Sequence, residues 1–142
     1  MKTVIIIPAR MASKRFPGKP MVLINGIPMI QRVWQQAIKV NVESVIVACS
    51  ETEIFDLISS LGGKAIMTNP NLPSGTDRIF EAIKNETDLE KYDCIINLQG
   101  DMPIINSKDI LKVNIPLKQG FDIGTLVTNL SLEEEKNNNI TK

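Results

Sequence analysis

Hydrophobic positions along the chain fall into two alternating periods. Val4 to Ile7 is an unbroken, β-branched run, the pattern of a strand covered on both faces in a parallel sheet. Asn25-Gly26 marks a tight turn of a small hairpin, and Pro28 can open a helix in which Ile30, Val33, Trp34, Ala37 and Ile38 recur at helical spacing. Ser44 to Ala48 reads as a second buried strand. Ile54, Leu57, Ile58 and Leu61 then line one face of a second helix, which Gly62-Gly63 ends. A short third strand is expected over Ala65 to Met67 and a third helix around Ile79, Phe80 and Ile83. Cys94 to Leu98 is a fourth strand. Ser107 can cap a fourth helix running through Ile110, Leu111 and Leu117, and Ile123 to Val127 reads as a further strand. Beyond it the tail, Glu133 to Asn139, is polar.

This β-α-β-α-β-α-β-α-β alternation predicts an α/β fold: an open, mostly parallel sheet with helices on both faces and right-handed crossovers. In such sheets ligands bind beyond the carboxyl ends of the strands, where strand order reverses. With the order 3-2-1-4, strands one and four are neighbours at that point. The loops 9–19 and 99–103 then face each other. No repeat or linker divides the chain, so a single domain over 1–142 is expected.

Composition narrows the chemistry. Hydrophobic residues make up 43% and charged residues 23% of the 142, ordinary proportions for a globular protein, and the formal net charge is zero, which disfavours a dedicated nucleic-acid binder. Cys49 and Cys94 sit in apolar runs and read as small buried hydrophobes suited to a reducing cytoplasm. No signal peptide and no stretch of transmembrane length is expected. The chain has no histidine, so catalysis must rest on carboxylates, cations, hydroxyls and backbone.

The loop after strand one reads P-A-R-M-A-S-K-R-F-P-G-K-P and holds Arg10, Lys14, Arg15 and Lys19 with no acid among them. Elsewhere such a cluster would be a solvated basic loop. At the carboxyl end of a buried first strand it points to an anion site, where Ala12, Ser13 and Gly18 would let backbone amides approach phosphate oxygens. It is neither a Walker A loop nor G-x-G-x-x-G. The segment N-L-Q-G-D-M-P ends strand four and puts Asp101 just past it. Gly100-Asp101 could be an ordinary turn. Opposite a cationic phosphate loop, the aspartate suits Mg²⁺, which takes one or two carboxylates and completes its shell with phosphate oxygens and water. In P-S-G-T-D-R, Ser74 and Asp77 form a capping-box-like pattern that would start helix three.

Together I-P-A-R-M-A-S-K-R-F-P-G-K-P, N-G-I-P-M-I, S-G-T-D-R and N-L-Q-G-D-M-P resemble the 3-deoxy-manno-octulosonate (Kdo) cytidylyltransferases, in order and over essentially the whole chain. The resemblance implies a nucleotide-diphospho-sugar transferase-like fold and transfer of CMP from CTP to Kdo in lipopolysaccharide biosynthesis. It implies that Arg10 and Lys19 contact the CTP phosphates, with Ala9, Ser13 and Arg15 nearby, and that Ser74, Gly75 and Thr76 read the cytosine and ribose. Arg78 and Gln99 would lie close to the substrates, and Asp101 would bind Mg²⁺. Pro73 stands where the family commonly has glutamine. Family members also continue past this length, into a region resembling the source of most of the Kdo site, a second metal-binding aspartate and the homodimer contacts. The alternatives are a transferase for another acidic sugar such as sialic acid, or a nucleotide-binding module without turnover.

Overall fold

The computed structural model describes residues 1–12, 16–85, 92–129, 131 and 136. The chain separates into two compact units, Met1–Leu111 and Lys112–Lys142.

In the first unit, β1 (Thr3–Ala9) is followed by a hairpin of β2 (Leu23–Ile24) and β3 (Ile27–Pro28), then α1 (Met29–Ala37), β4 (Ser44–Cys49), α2 (Thr52–Ser60), β5 (Lys64–Met67), α3 (Gly75–Asn85), β6 (Cys94–Asn97) and α4 (Ser107–Ile110). The main sheet has the order β5-β4-β1-β6, all parallel, which is the expected 3-2-1-4. In β1, Val4 to Ile7 are wholly buried because both faces of the sheet are covered. Val4 and Ile6 join Ile46, Ala48, Ile79 and Ala82 in a core beneath α3. The alternate residues, Ile5 and Ile7, turn to the opposite face. Burial of each such side chain contributes about 1.5–3 kcal/mol relative to exposure.

The hairpin turn forms at Asn25-Gly26 as the sequence indicates, both residues having positive φ (49° and 74°), as a type I′ turn demands. Arg32 of α1 ties the hairpin down by donating from Nε to the Ile24 carbonyl at 2.8 Å. Cys49 and Cys94 are both buried and neither is in a disulfide, as expected.

Two expectations fail at the end of the described chain. The fourth helix is not continuous: α4 gives way to a 3-10 turn, Leu111–Asn114, and then to α5 (Ile115–Lys118). Pro116 accounts for the interruption, since it has no N–H to donate to residue 112 and its ring crowds that carbonyl. The strand expected over Ile123 to Val127 does not form. Within the second unit a Cβ on Gly124 would run into the Val113 carbonyl oxygen and lie 3.1 Å from Pro116, so the segment lies against the preceding turns rather than beside a strand. Ile123 and Val127 are 86% and 89% exposed. The polar tail, apart from Lys136, lies outside the described residues. Among those described, no helix is long and apolar enough to cross a membrane.

Candidate functional site

The site is built at the carboxyl ends of β1 and β6, the adjacent strands at which sheet order reverses. After β1 the chain leaves through Arg10, which is exposed, and the basic loop closes on itself where Gly18 N donates to the Met11 carbonyl at 2.9 Å. Gly18 has φ 74°, a conformation that a residue with a side chain adopts only at a cost. A single 3-10 turn, Lys19–Met21, follows, with Pro20 buried inside it. That turn fixes where Lys19 starts.

From the other side comes the loop after β6. A Cβ on Gly100 would sit 2.8 Å from the Pro8 carbonyl oxygen, so only glycine lets this loop pass so close to the end of β1. The next residue is Asp101, and its Oδ2 lies 2.6 Å from Lys19 Nζ. The third contributor is the start of α3. Ser74 Oγ accepts from Asp77 N at 3.1 Å and also donates to the Asp77 carboxylate, so the capping pattern read from the sequence forms. Gly75 packs against the Pro8 ring; a Cβ there would be 3.2 Å from Pro8 Cγ.

These three segments enclose an open cleft of about 290 Å³ lined by Pro8, Ala9, Arg10, Lys19, Pro20, Gly75, Arg78, Gln99, Gly100 and Asp101. Of the residues singled out from the sequence, Ala9, Arg10, Lys19, Gly75, Arg78, Gln99 and Asp101 are thus brought together. Ser74 and Thr76 flank Gly75, are exposed, and do not line the cleft. Ser13 and Arg15, with Lys14, lie outside the described residues. Pro8, Pro20 and Gly100 were not singled out, although all three stand inside the segments that were. Their contribution is close backbone packing, which residue chemistry does not announce.

Arg78 is unusual in being 1% exposed. One guanidinium nitrogen donates to Thr68 Oγ1, and the Thr68 hydroxyl in turn donates to the Cys49 carbonyl at 2.8 Å. A second nitrogen, Nη2, is buried with no hydrogen-bond partner, as is Glu51 Oε2. Burial pushes the Arg78 guanidinium below its usual pKa, an effect that Glu51 opposes and Arg10 reinforces. Gln99 is oriented by donating from Nε2 to Asn97 Oδ1 at 2.9 Å. The cleft therefore presents three cationic side chains, one amide and one carboxylate. Such a lining suits a polyanion.

Among the described residues no group of three or more His, Cys, Asp or Glu gathers to cage a metal. A single exposed carboxylate fits the mode in which magnesium is held by one protein oxygen together with phosphate oxygens and water.

A family model described as "Cytidylyltransferase" matches residues 4–141. The chain belongs to the cytidylyltransferase family. It is 45% identical over 141 residues to a 3-deoxy-manno-octulosonate cytidylyltransferase of Paramagnetospirillum magneticum, covering 98% of this chain and 57% of that protein. Another cytidylyltransferase of the same name, from Parvibaculum lavamentivorans, is 42% identical, with 97% and 54% covered. The chain thus spans a little over half the length of the curated relatives it matches. Among solved structures, a CMP:2-keto-3-deoxy-manno-octonic acid synthetase in complex with CTP superimposes with a TM-score of 0.76 at 41% identity, over 84% of this chain and 48% of that one. A cytidylyltransferase from Leptospira borgpetersenii gives 0.67 at 25% identity, over 86% and 50%.

Proposed function

We propose that this chain carries the nucleotide site of a cytidylyltransferase that transfers CMP from CTP to Kdo, releasing pyrophosphate, in the cytoplasm and for lipopolysaccharide biosynthesis. The observation that carries this reading is the convergence of Arg10, Lys19, Arg78 and Asp101, from three separated segments, on one cleft at the switch point of the sheet. The CTP bound in the 41% identical synthetase supports the choice of nucleotide. The name shared by the curated relatives supports the choice of sugar.

In this reading Arg10 and Lys19 bind the CTP phosphates, with Ala9, Ser13 and Arg15 close by in the sequence. Gly75 with Ser74 and Thr76 meets the cytosine and ribose through the first turn of α3, whose leading N–H groups have no helical acceptor. Arg78 and Gln99 orient the reacting groups. The anomeric hydroxyl of Kdo attacks the α-phosphorus in line, and pyrophosphate leaves. Positioning and charge stabilisation dominate such a reaction, which is why a chain without histidine can support it. Asp101 would hold Mg²⁺, which when bound supplies neutralisation of charge on the phosphate oxygens. Assembly as a homodimer belongs to the same reading.

A second reading, a CTP-binding module without turnover, is favoured by one observation: the cleft offers a single carboxylate. Titration calorimetry with CTP and Mg²⁺, beside a pyrophosphate-release assay offering Kdo and then sialic acid, separates the readings. Binding with release on Kdo is the expected result. Release on sialic acid alone would replace the sugar, binding without release would favour the module, and absence of binding would end both. Asp101→Asn is expected to remove the magnesium dependence of CTP binding; an unchanged dependence would unseat the metal assignment.

A further inference from the structure

Lys19 and Asp101 stand 82 residues apart in sequence, yet their charged atoms meet at 2.6 Å across the mouth of the cleft. Each is the group a metal–nucleotide ligand needs. In the free chain each occupies the other: Oδ2 has an ammonium where a divalent cation would sit, and the ammonium's charge opposes the cation's approach. The pair is 37% and 50% exposed, so it is weak enough for a ligand to exchange into. The Lys19 backbone is held by the turn at Lys19–Met21, which leaves the long side chain as the part that moves.

We infer that the Lys19–Asp101 ion pair is a latch that keeps a divalent cation off Asp101 until the phosphates of a nucleotide draw Lys19 away. The inference rests on the assignment of phosphates to Lys19 and metal to Asp101 made above. A triphosphate offers Lys19 several anionic oxygens in place of one carboxylate oxygen, and the released Oδ2 then faces the same phosphates. Metal and nucleotide binding are coupled through this contact, and the coupling is reciprocal.

The test uses Mn²⁺ as the probe, read by electron paramagnetic resonance on the whole 142-residue chain without nucleotide. Lys19→Met is expected to tighten Mn²⁺ binding by roughly two- to fivefold, the range a partly exposed ion pair supports. Arg10→Met removes the same formal charge from the same cleft and is expected to change the affinity by less than about twofold, because Arg10 makes no such contact with Asp101. A second readout needs no metal: Asp101→Asn should raise acylation of Lys19, measured by mass spectrometry against Lys108 as internal reference. Equal tightening in the two cation variants, or unchanged labelling of Lys19 in the Asp101 variant, overturns the latch while CTP binding by the unaltered chain stands. Absence of CTP binding by the unaltered chain removes the nucleotide reading and the release step with it.

Discussion

The two ends of the parallel sheet use charge in opposite ways. At the amino end, acids serve the backbone: Asp93 Oδ2 accepts from Lys2 N at 2.7 Å and Glu43 Oε2 accepts from Thr3 N at 2.6 Å. The same two residues donate their own N–H groups back, to Lys2 O at 2.8 Å and to Thr3 O at 3.2 Å. These reciprocal bonds fasten the start of β1 between β4 and β6. At the carboxyl end, among the described residues, the charges of the cleft make no direct bond to strand backbone. Arg10 is exposed just past the end of β1, Lys19 pairs with the side chain of Asp101, and Arg78 keeps a buried nitrogen without a partner. Polar groups that stabilise the fold are satisfied within it; in the proposed reading, those at the cleft leave capacity for a ligand.

Four substitutions would sharpen or break that contrast. Arg10→Ala should lower CTP affinity by about tenfold to a hundredfold, the worth of charge-assisted bonds to phosphate, while leaving the melting temperature nearly unchanged. Calorimetry beside a thermal melt reads both, and a large loss of stability with intact affinity would move Arg10 to the structural class. Gly100→Ala forces a Cβ to 2.8 Å from the Pro8 carbonyl and should cost about 1–3 kcal/mol in urea unfolding while displacing Asp101. Unaltered stability and unaltered magnesium-dependent CTP binding would show that the loop can shift freely. Glu43→Ala should show the reverse profile of Arg10→Ala, losing about 1 kcal/mol of stability with CTP affinity preserved.

The smallest effect concerns Cys49, whose thiol is pushed up by burial first, and then by Glu51, from its ordinary 9.0 to about 11. The folded chain holds this proton to higher pH than the unfolded chain. The thiol's contribution is therefore fully present below pH 9.0 and declines as pH rises towards about 11. Cys49→Ala should remove that part of the alkaline decline, as urea unfolding on either side of the window would record. An identical decline in both proteins would place its origin elsewhere.

Much of this architecture was legible in the residues. The β-branched run of β1, the helical spacing of Ile30, Val33 and Trp34 and the Asn25-Gly26 turn are local signals, and the structure contains each of them. The expected strand at Ile123 to Val127 failed because strand propensity acts only where a partner edge is available, and here the segment packs on its own preceding turns. The cleft was legible as motifs, since cations after one strand and an aspartate after its neighbour must converge if the strand order is right. The burial of Arg78 was not. Nothing local distinguishes an arginine on the solvent face of α3 from one drawn inward by Thr68, because that contact links positions ten residues apart through tertiary packing.

The register that pairs Thr3 with Cys94 and Val4 with Ile95 has a consequence for synthesis on the ribosome. At about 5–20 residues per second, β1 waits roughly 5–20 s before the strand that covers its second edge has been made. For that interval an apolar strand has an open side, the kind of exposure that slows folding of parallel sheets and invites the attention of chaperones. Gly100 and Asp101 follow β6 directly. Arg10 and Lys19 are therefore translated early, and the crevice they line can close only when β6 arrives.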